Sequence, residues 1–303
     1  MDYLFYPGCC CSGKASGKGY SESLEAIFNT FEIMREELDD WNCCGATMYM
    51  AVDEQQAFAM AARNLALAEQ QWKNGNKKPK LMTPCAACYA VLNKTKRYIS
   101  EYPSVKDNIF HALSEGGLSY NGHTEIKHPL DVIVNDVGLD KIVASVQRPL
   151  IDLKVACYYG CLLVRPYADF DDSYSPMSMD HLMRTIGATP INWDLKTRCC
   201  GAALTGTISD VGIRMSYIIL SEAIRKGADV IATACPFCQS NLECYQKQMK
   251  KDFGLKKSLP VAYFSQLLGI AMGLPDDKIG LQHLFKPLPI QREKKEVSHH
   301  VST

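Results

Sequence analysis

The sequence predicts an α/β protein built from two copies of one unit, and two observations carry that expectation. The first is the cysteine pattern. Tyr-Pro-Gly-Cys9, Cys43-Cys44-Gly-Ala and Thr-Pro-Cys85-Ala-Ala-Cys88 recur as Tyr-Tyr-Gly-Cys161, Cys199-Cys200-Gly-Ala and Thr-Ala-Cys235-Pro-Phe-Cys238. The three blocks are displaced by 152, 156 and 150 residues. So constant a displacement is what an internal duplication leaves behind. The second is the alternation of short β-prone runs with helical stretches around those cysteines, which favours parallel strands.

Taken in order, residues 3–8 and 153–159 are short β-prone runs leading into the first cysteine of each copy. Leu24, Ile27, Phe28, Phe31, Met34 and Leu38 then stand at helical spacing and predict a helix over 21–38. Met179, Leu182, Met183 and Ile186 are their counterparts. Trp41 and Trp193 each precede a Cys-Cys pair. A second helical stripe follows, Ala57, Phe58, Ala61, Leu65, Ala68 and Trp72 in one copy and Val211, Met215, Ile218, Ile219 and Leu220 in the other. These stripes close near Lys73–Gly75 and Lys226-Gly227. Lys80–Thr83 and Val230–Thr233 read as strands running straight into Cys-x-x-Cys. His128-Pro129 and Leu259-Pro260 are each expected to open an apolar helix.

The unit is thus strand–helix–loop–helix–strand, given twice. Sites in parallel α/β sheets gather beyond the carboxyl ends of the strands. The cysteine elements sit at strand ends or in loops, so they can converge on one site per copy. The expected division is 1–150 and 151–285, with 286–303 a flexible or partner-binding tail that holds His299 and His300. The polar stretch from Ser114 to His123 reads as an exposed loop.

Composition narrows the function. Lys+Arg and Asp+Glu are equal at 33 each, which argues against nucleic acid as a partner. Neither a signal peptide nor a membrane-spanning run is legible, so a reducing, cytoplasmic setting is expected. Disulfides rarely persist there, which leaves metal binding or thiol chemistry to explain 14 cysteines.

A lone Cys-x-x-Cys suits zinc, a redox dithiol or an iron–sulfur site. Five cysteines per copy exceed the four ligands of structural zinc. Adjacent side chains diverge around one small ion, whereas a multi-iron cluster takes both on different irons. Dithiol chemistry leaves both Cys-Cys pairs unexplained. The count and geometry therefore favour iron–sulfur clusters, with zinc and an inert reduced set as the alternatives. Cys157 competes with Cys161; Gly160-Cys161 matches Gly8-Cys9 and favours Cys161. Cys10 and Cys11 have no counterparts in the second copy and read as buried apolar thiols, with redox-active thiols as the other reading; Cys244 is left over. His111, His123, His128, His181 and His283 show no paired ligand spacing.

At these residues the chain resembles the cysteine-rich CCG domain family, and within it the B subunit of heterodisulfide reductase. The resemblance covers residues 1 to about 275 and extends to Leu162-Leu163-Val164-Arg165-Pro166. It implies two duplicated Rossmann-like CCG domains related by a pseudo-twofold axis. It implies one non-cubane [4Fe-4S] cluster on Cys9, Cys43, Cys44, Cys85 and Cys88, and a second on Cys161, Cys199, Cys200, Cys235 and Cys238. The implied activity is reduction of a disulfide, such as the coenzyme M–coenzyme B heterodisulfide of methanogenesis, to two thiols. The implied partners are an iron–sulfur subunit of the C type, which donates electrons, and a flavin subunit of the A type. No Gly-rich phosphate loop is present, so flavin or nicotinamide is assigned to a partner. Arg165, Lys14, Lys18 and Arg198, near the expected ligands, are the candidate substrate-binding residues. The same domain also occurs in a sulfur-oxidation complex and in 2-hydroxy-acid or succinate-type dehydrogenases, where it passes electrons. The stretch between Cys44 and Cys85 is longer than the family usually shows.

Overall fold

The computed structural model describes residues 2–12, 16–72 and 77–290. It holds two parallel sheets of four strands each. The first sheet contains β1 (Tyr3–Phe5), β2 (Arg35–Glu37), β3 (Lys80–Met82) and β4 (Glu125–Lys127), in the order β2-β1-β3-β4. The second contains β5 (Lys154–Tyr158), β6 (Thr189–Pro190), β7 (Val230–Thr233) and β8 (Val261–Tyr263), in the order β6-β5-β7-β8. The duplication read from the cysteines is thus a duplication of topology. Val155, Ala156, Cys157, Tyr158 and all of β7 are buried, the apolar run expected of central parallel strands covered on both faces.

Four strands per half exceed the two that periodicity revealed. The helix expected over 21–38 ends at Thr30, and the chain turns back into β2. Met34, placed on the apolar stripe, is 64% exposed. β2 is Arg-Glu-Glu, with no apolar alternation; it is a strand because Tyr3, Leu4 and Phe5 of β1 pair with it in parallel register. A polar edge strand also blunts edge-to-edge association. Leu259-Pro260 likewise does not open a helix but leads into β8, and the helix begins at Phe264. The true counterpart of His128 is therefore Tyr263. Leu81 pairs with Ile126 and Ile231 with Val261, which puts His128 and Tyr263 at equivalent strand ends.

The helices match the sequence more closely. Helix Lys18–Thr30 buries Tyr20, Leu24, Ile27 and Phe28. Helix Glu54–Gln71 starts on Asp53, whose side chain accepts the Gln56 N–H. Helix Ser209–Arg225 buries Ile213, Ile219 and Leu220, while Val211 and Ile218 face outward. The Lys73–Gly75 helix end lies outside the described residues.

The halves pack through a reciprocal exchange. Helix Lys18–Thr30, which follows β1, lies on helix Phe264–Ala271, which follows β8. Helix Ser178–Thr185, which follows β5, touches the turn Pro129–Asp131, which follows β4. Swapping the halves exchanges the two contacts, as a twofold axis requires. Tyr20 stacks on Tyr263 with centroids 4.3 Å apart, and Ser23 and Ser265 share a 2.6 Å hydrogen bond. Of residues 286–303, the described part packs back: Leu288 and Ile290 lie against the core and Lys286 hydrogen-bonds the Ser258 carbonyl. His299 and His300 lie outside the described residues. No helix among the described residues is long and apolar enough to cross a membrane.

Candidate metal centres

The order β2-β1-β3-β4 places a topological switch point between β1 and β3, and loops beyond the carboxyl ends of those strands open there. Cys9 follows β1, Cys43 and Cys44 follow β2, and Cys85 follows β3. Cys85 is the N-cap residue of helix Ala86–Glu101, with Cys88 in its first turn; Cys235 and Cys238 hold the same positions on helix Pro236–Cys244. Spacing of three residues puts both sulfurs on one side of a helix start, where the positive end of the helix dipole favours thiolate.

The five thiols of each half meet. In the first, Cys9 is within hydrogen-bonding reach of Cys43, Cys43 of Cys44, and Cys88 of Cys85. Cys44 Sγ lies 3.1 Å from Cys88 Sγ. In the second, Cys161 reaches Cys199, Cys200 Sγ lies 3.5 Å from Cys238 Sγ, and Cys238 reaches Cys235. Each set has an outer end, with Cys9 or Cys199 exposed, and a buried inner end, the Cys-x-x-Cys. The inner ends touch: Cys85 and Cys235 are within hydrogen-bonding reach across the interface. The Cys199 thiol is held down at about 6, first by its hydrogen bond from Cys161, with the Gly201 N–H and the Arg198 charge adding to it.

The surroundings fit a body wider than one ion. The thiols of each set are spread over several contacts, and in the first set Cys10 links Cys9 back to Cys85. Gly8 and Gly160 leave room beside the buried Cys-x-x-Cys sulfurs of each set. A Cβ at Gly8 would stand 3.1 Å from Cys88 Sγ, and one at Gly160 would stand 3.0 Å from Cys238 Sγ. Both take positive φ, +62° and +71°, where glycine is at home.

Cys157 is not part of the second set. It lies within β5, pairs with Ala232 and is fully buried, and burial pushes its thiol well up. Cys11 is buried, as expected of an apolar thiol. Cys10 is half-buried and touches the first set, 3.9 Å from Cys9 and within reach of Cys85. Cys244 is exposed at the end of its helix. Of the candidate substrate-binding residues, Arg198 is exposed beside Cys199. Arg165 is held by the Ser173 carbonyl and Thr197 and lies over the Tyr174 ring. Lys18 is paired with Glu22 at 3.6 Å, and Lys14 lies outside the described residues.

Two site tyrosines went unnoticed in the sequence although they stand in the quoted motifs. Tyr6 donates to the Asn42 carbonyl at 2.8 Å and Tyr158 to the Arg198 carbonyl at 2.6 Å. Each thereby ties its strand end to the residue just before a Cys-Cys pair. Their recurrence three residues before Cys9 and Cys161 was the available signal.

The model of the cysteine-rich domain named CCG matches residues 3–93 and again 155–243. The chain belongs to the CCG family. Among similar proteins, the 8-methylmenaquinol:fumarate reductase membrane anchor subunit of Wolinella succinogenes is 33% identical, over 93% of this chain and 96% of its own length. The B subunit of the ferredoxin:CoB-CoM heterodisulfide reductase of Methanosarcina mazei is 30% identical over 87% of each chain. A hypothetical protein of Helicobacter pylori shares the fold, with TM-score 0.75 at 15% identity; it covers 95% of this chain, which spans 53% of that protein. The relatives named are subunits of multisubunit reductases, and the two cysteine-rich CCG domains of this chain are consistent with iron–sulfur clusters.

Proposed function

We propose that this chain is an iron–sulfur relay subunit of a multisubunit reductase. One [4Fe-4S] cluster is held by Cys9, Cys43, Cys44, Cys85 and Cys88, and the other by Cys161, Cys199, Cys200, Cys235 and Cys238. Bound clusters of this kind accept and return single electrons. The chain's own residues do the rest. Tyr6, Tyr158, Gly8 and Gly160 shape the two cradles, and the buried Cys-x-x-Cys ends set the centres side by side.

The observation that carries the reading is the contact between the two thiol sets together with the exposure of one cysteine in each. Their inner ends meet at Cys85 and Cys235, and their outer ends, Cys9 and Cys199, are exposed. That suits passage of electrons through the chain from one docked partner to another. Reduction of fumarate by a quinol is the favoured overall reaction, supported by the 33% identity to the Wolinella protein across nearly both full lengths. Its electron donor would be a quinol-linked or iron–sulfur subunit, and its acceptor a flavin subunit. Catalytic reduction of a heterodisulfide is the second reading, favoured by the 30% identity to the Methanosarcina heterodisulfide reductase protein. It requires an opening on the shared side that lets the substrate reach both centres.

Anaerobic isolation of the full chain tests the cofactor: about eight irons per chain are expected, and two zinc ions with no iron would sink both readings. The complex that co-purifies with it tests the reaction. Quinol-dependent fumarate reduction that needs this chain supports the relay. Thiol release from a heterodisulfide with reduced viologen supports the second reading instead.

A further inference from the structure

The contact between the two inner ends is organised by one residue outside the thiol sets. His128 is fully buried just past the end of β4, between the two halves. Its Nε2 lies 3.1 Å from the Pro84 carbonyl oxygen and 3.0 Å from the Ala234 carbonyl oxygen. These are equivalent atoms of the two halves, each belonging to the residue just before the first cysteine of a Cys-x-x-Cys. The other ring nitrogen, Nδ1, accepts the Leu130 N–H at 3.1 Å. That bond assigns the tautomer: Nδ1 has no proton, so Nε2 carries it and shares it between both carbonyls. Burial holds the ring neutral, with its pKa pushed down to about 4. The Tyr89 ring meets the imidazole edge-on at 6.1 Å.

Tyr20 is a second donor on one side alone, its hydroxyl 3.5 Å from the Ala234 carbonyl oxygen. The position equivalent to His128 is Tyr263, whose ring is committed to the stack on Tyr20 and whose buried hydroxyl has no hydrogen-bond partner among the described residues. One histidine therefore serves both halves.

We propose that His128 is a positioning residue shared by the two centres, whose single Nε2–H fixes the peptides ahead of Cys85 and Cys235 relative to each other and tunes both centres together. This rests on the iron–sulfur reading above. Polar groups behind metal ligands orient them and adjust the metal's potential. A donor proton near both anionic sites stabilises the more negative, reduced state of each. Its removal lowers both potentials.

The test uses the full chain, isolated anaerobically as wild type, His128→Phe and His128→Gln, with iron content and the potentials of both centres read by redox titration under electron paramagnetic resonance. Phe keeps the ring but has no donor; Gln restores an N–H at similar reach. In His128→Phe, iron is retained and both potentials fall, each changing the reduced-to-oxidised ratio at a fixed potential by up to about tenfold, which is about 59 mV for one electron. In His128→Gln, both return toward wild type. A fall confined to one centre, or no change in an iron-loaded Phe variant, overturns the proposal. Should the Phe variant fail to fold, loading of both centres in the Gln variant supports the shared donor, and failure of both variants refutes it. A wild-type chain without iron defeats the cluster reading and this inference with it; a loaded wild type indifferent to His128 defeats the inference alone.

Discussion

Replacing Gly8 by alanine tests whether the first thiol set is a cradle shaped for a bulky group. Two costs separate cleanly. The backbone at Gly8 has φ of +62°, so any L side chain there is strained by about 1–2 kcal/mol. The new Cβ would also stand 3.1 Å from Cys88 Sγ, on a helix start that is 3% exposed and has little room to retreat. Gly117 provides the control, with φ of +69° and nothing within 4 Å of an added Cβ. Gly117→Ala should lower stability by about 1–2 kcal/mol in urea denaturation and leave the iron untouched. Gly8→Ala should cost at least as much and also displace Cys88. Iron per chain should fall by about half, because the second centre is intact. Gly160→Ala, whose Cβ would stand 3.0 Å from Cys238 Sγ, should mirror it. If Gly8→Ala and Gly117→Ala match in both stability and iron content, the cradle argument fails.

Three further expectations follow from other parts of the molecule. Cys161→Ser should remove about half of the iron, whereas Cys157→Ser should keep it all and cost about 1–3 kcal/mol for a hydroxyl buried in β5; metal analysis and urea midpoints distinguish them. Lys196→Met should cost about 3–5 kcal/mol by equilibrium unfolding, because Lys196 Nζ lies 2.7 Å from Asp180 Oδ1 and its loss strands a carboxylate that is 2% exposed. Burial pushes the Glu243 carboxyl up to about 7, against the backbone N–H groups of Lys286 and Phe285. The folded chain then holds a proton that the unfolded chain releases above about pH 4.3. This contribution is complete below that pH and is lost as pH rises through about 7, amounting to about 3–4 kcal/mol. Glu243→Gln should flatten the stability profile across that window; a slope unchanged in the variant would refute the assignment.

The relay reading places the protein between two partners. Arg198 and Cys199 lie together at the outer end of the second centre, so a partner docking there meets both a positive charge and the sulfur nearest solvent. Charge of this kind steers encounter more than it adds affinity.

The sequence by itself determined the duplication, the α/β class and the sorting of ten cysteines into two sets. Those are properties of spacing, and spacing survives in one dimension. Cys161 could be preferred to Cys157 because Gly160 repeats Gly8, a local feature. Tertiary structure alone decided β2, since Arg-Glu-Glu becomes a strand only when β1 offers its parallel partner. It alone corrected the match of His128 from Leu259-Pro260 to Tyr263, because strand register is set by pairing rather than by a nearby proline. It also brought Cys85 against Cys235 and His128 between their preceding carbonyls. Cys85 and Cys235 are 150 residues apart. No periodicity links such groups; they meet because each half buries an apolar helix face against the other, and the axis this creates runs through the inner ends of both centres.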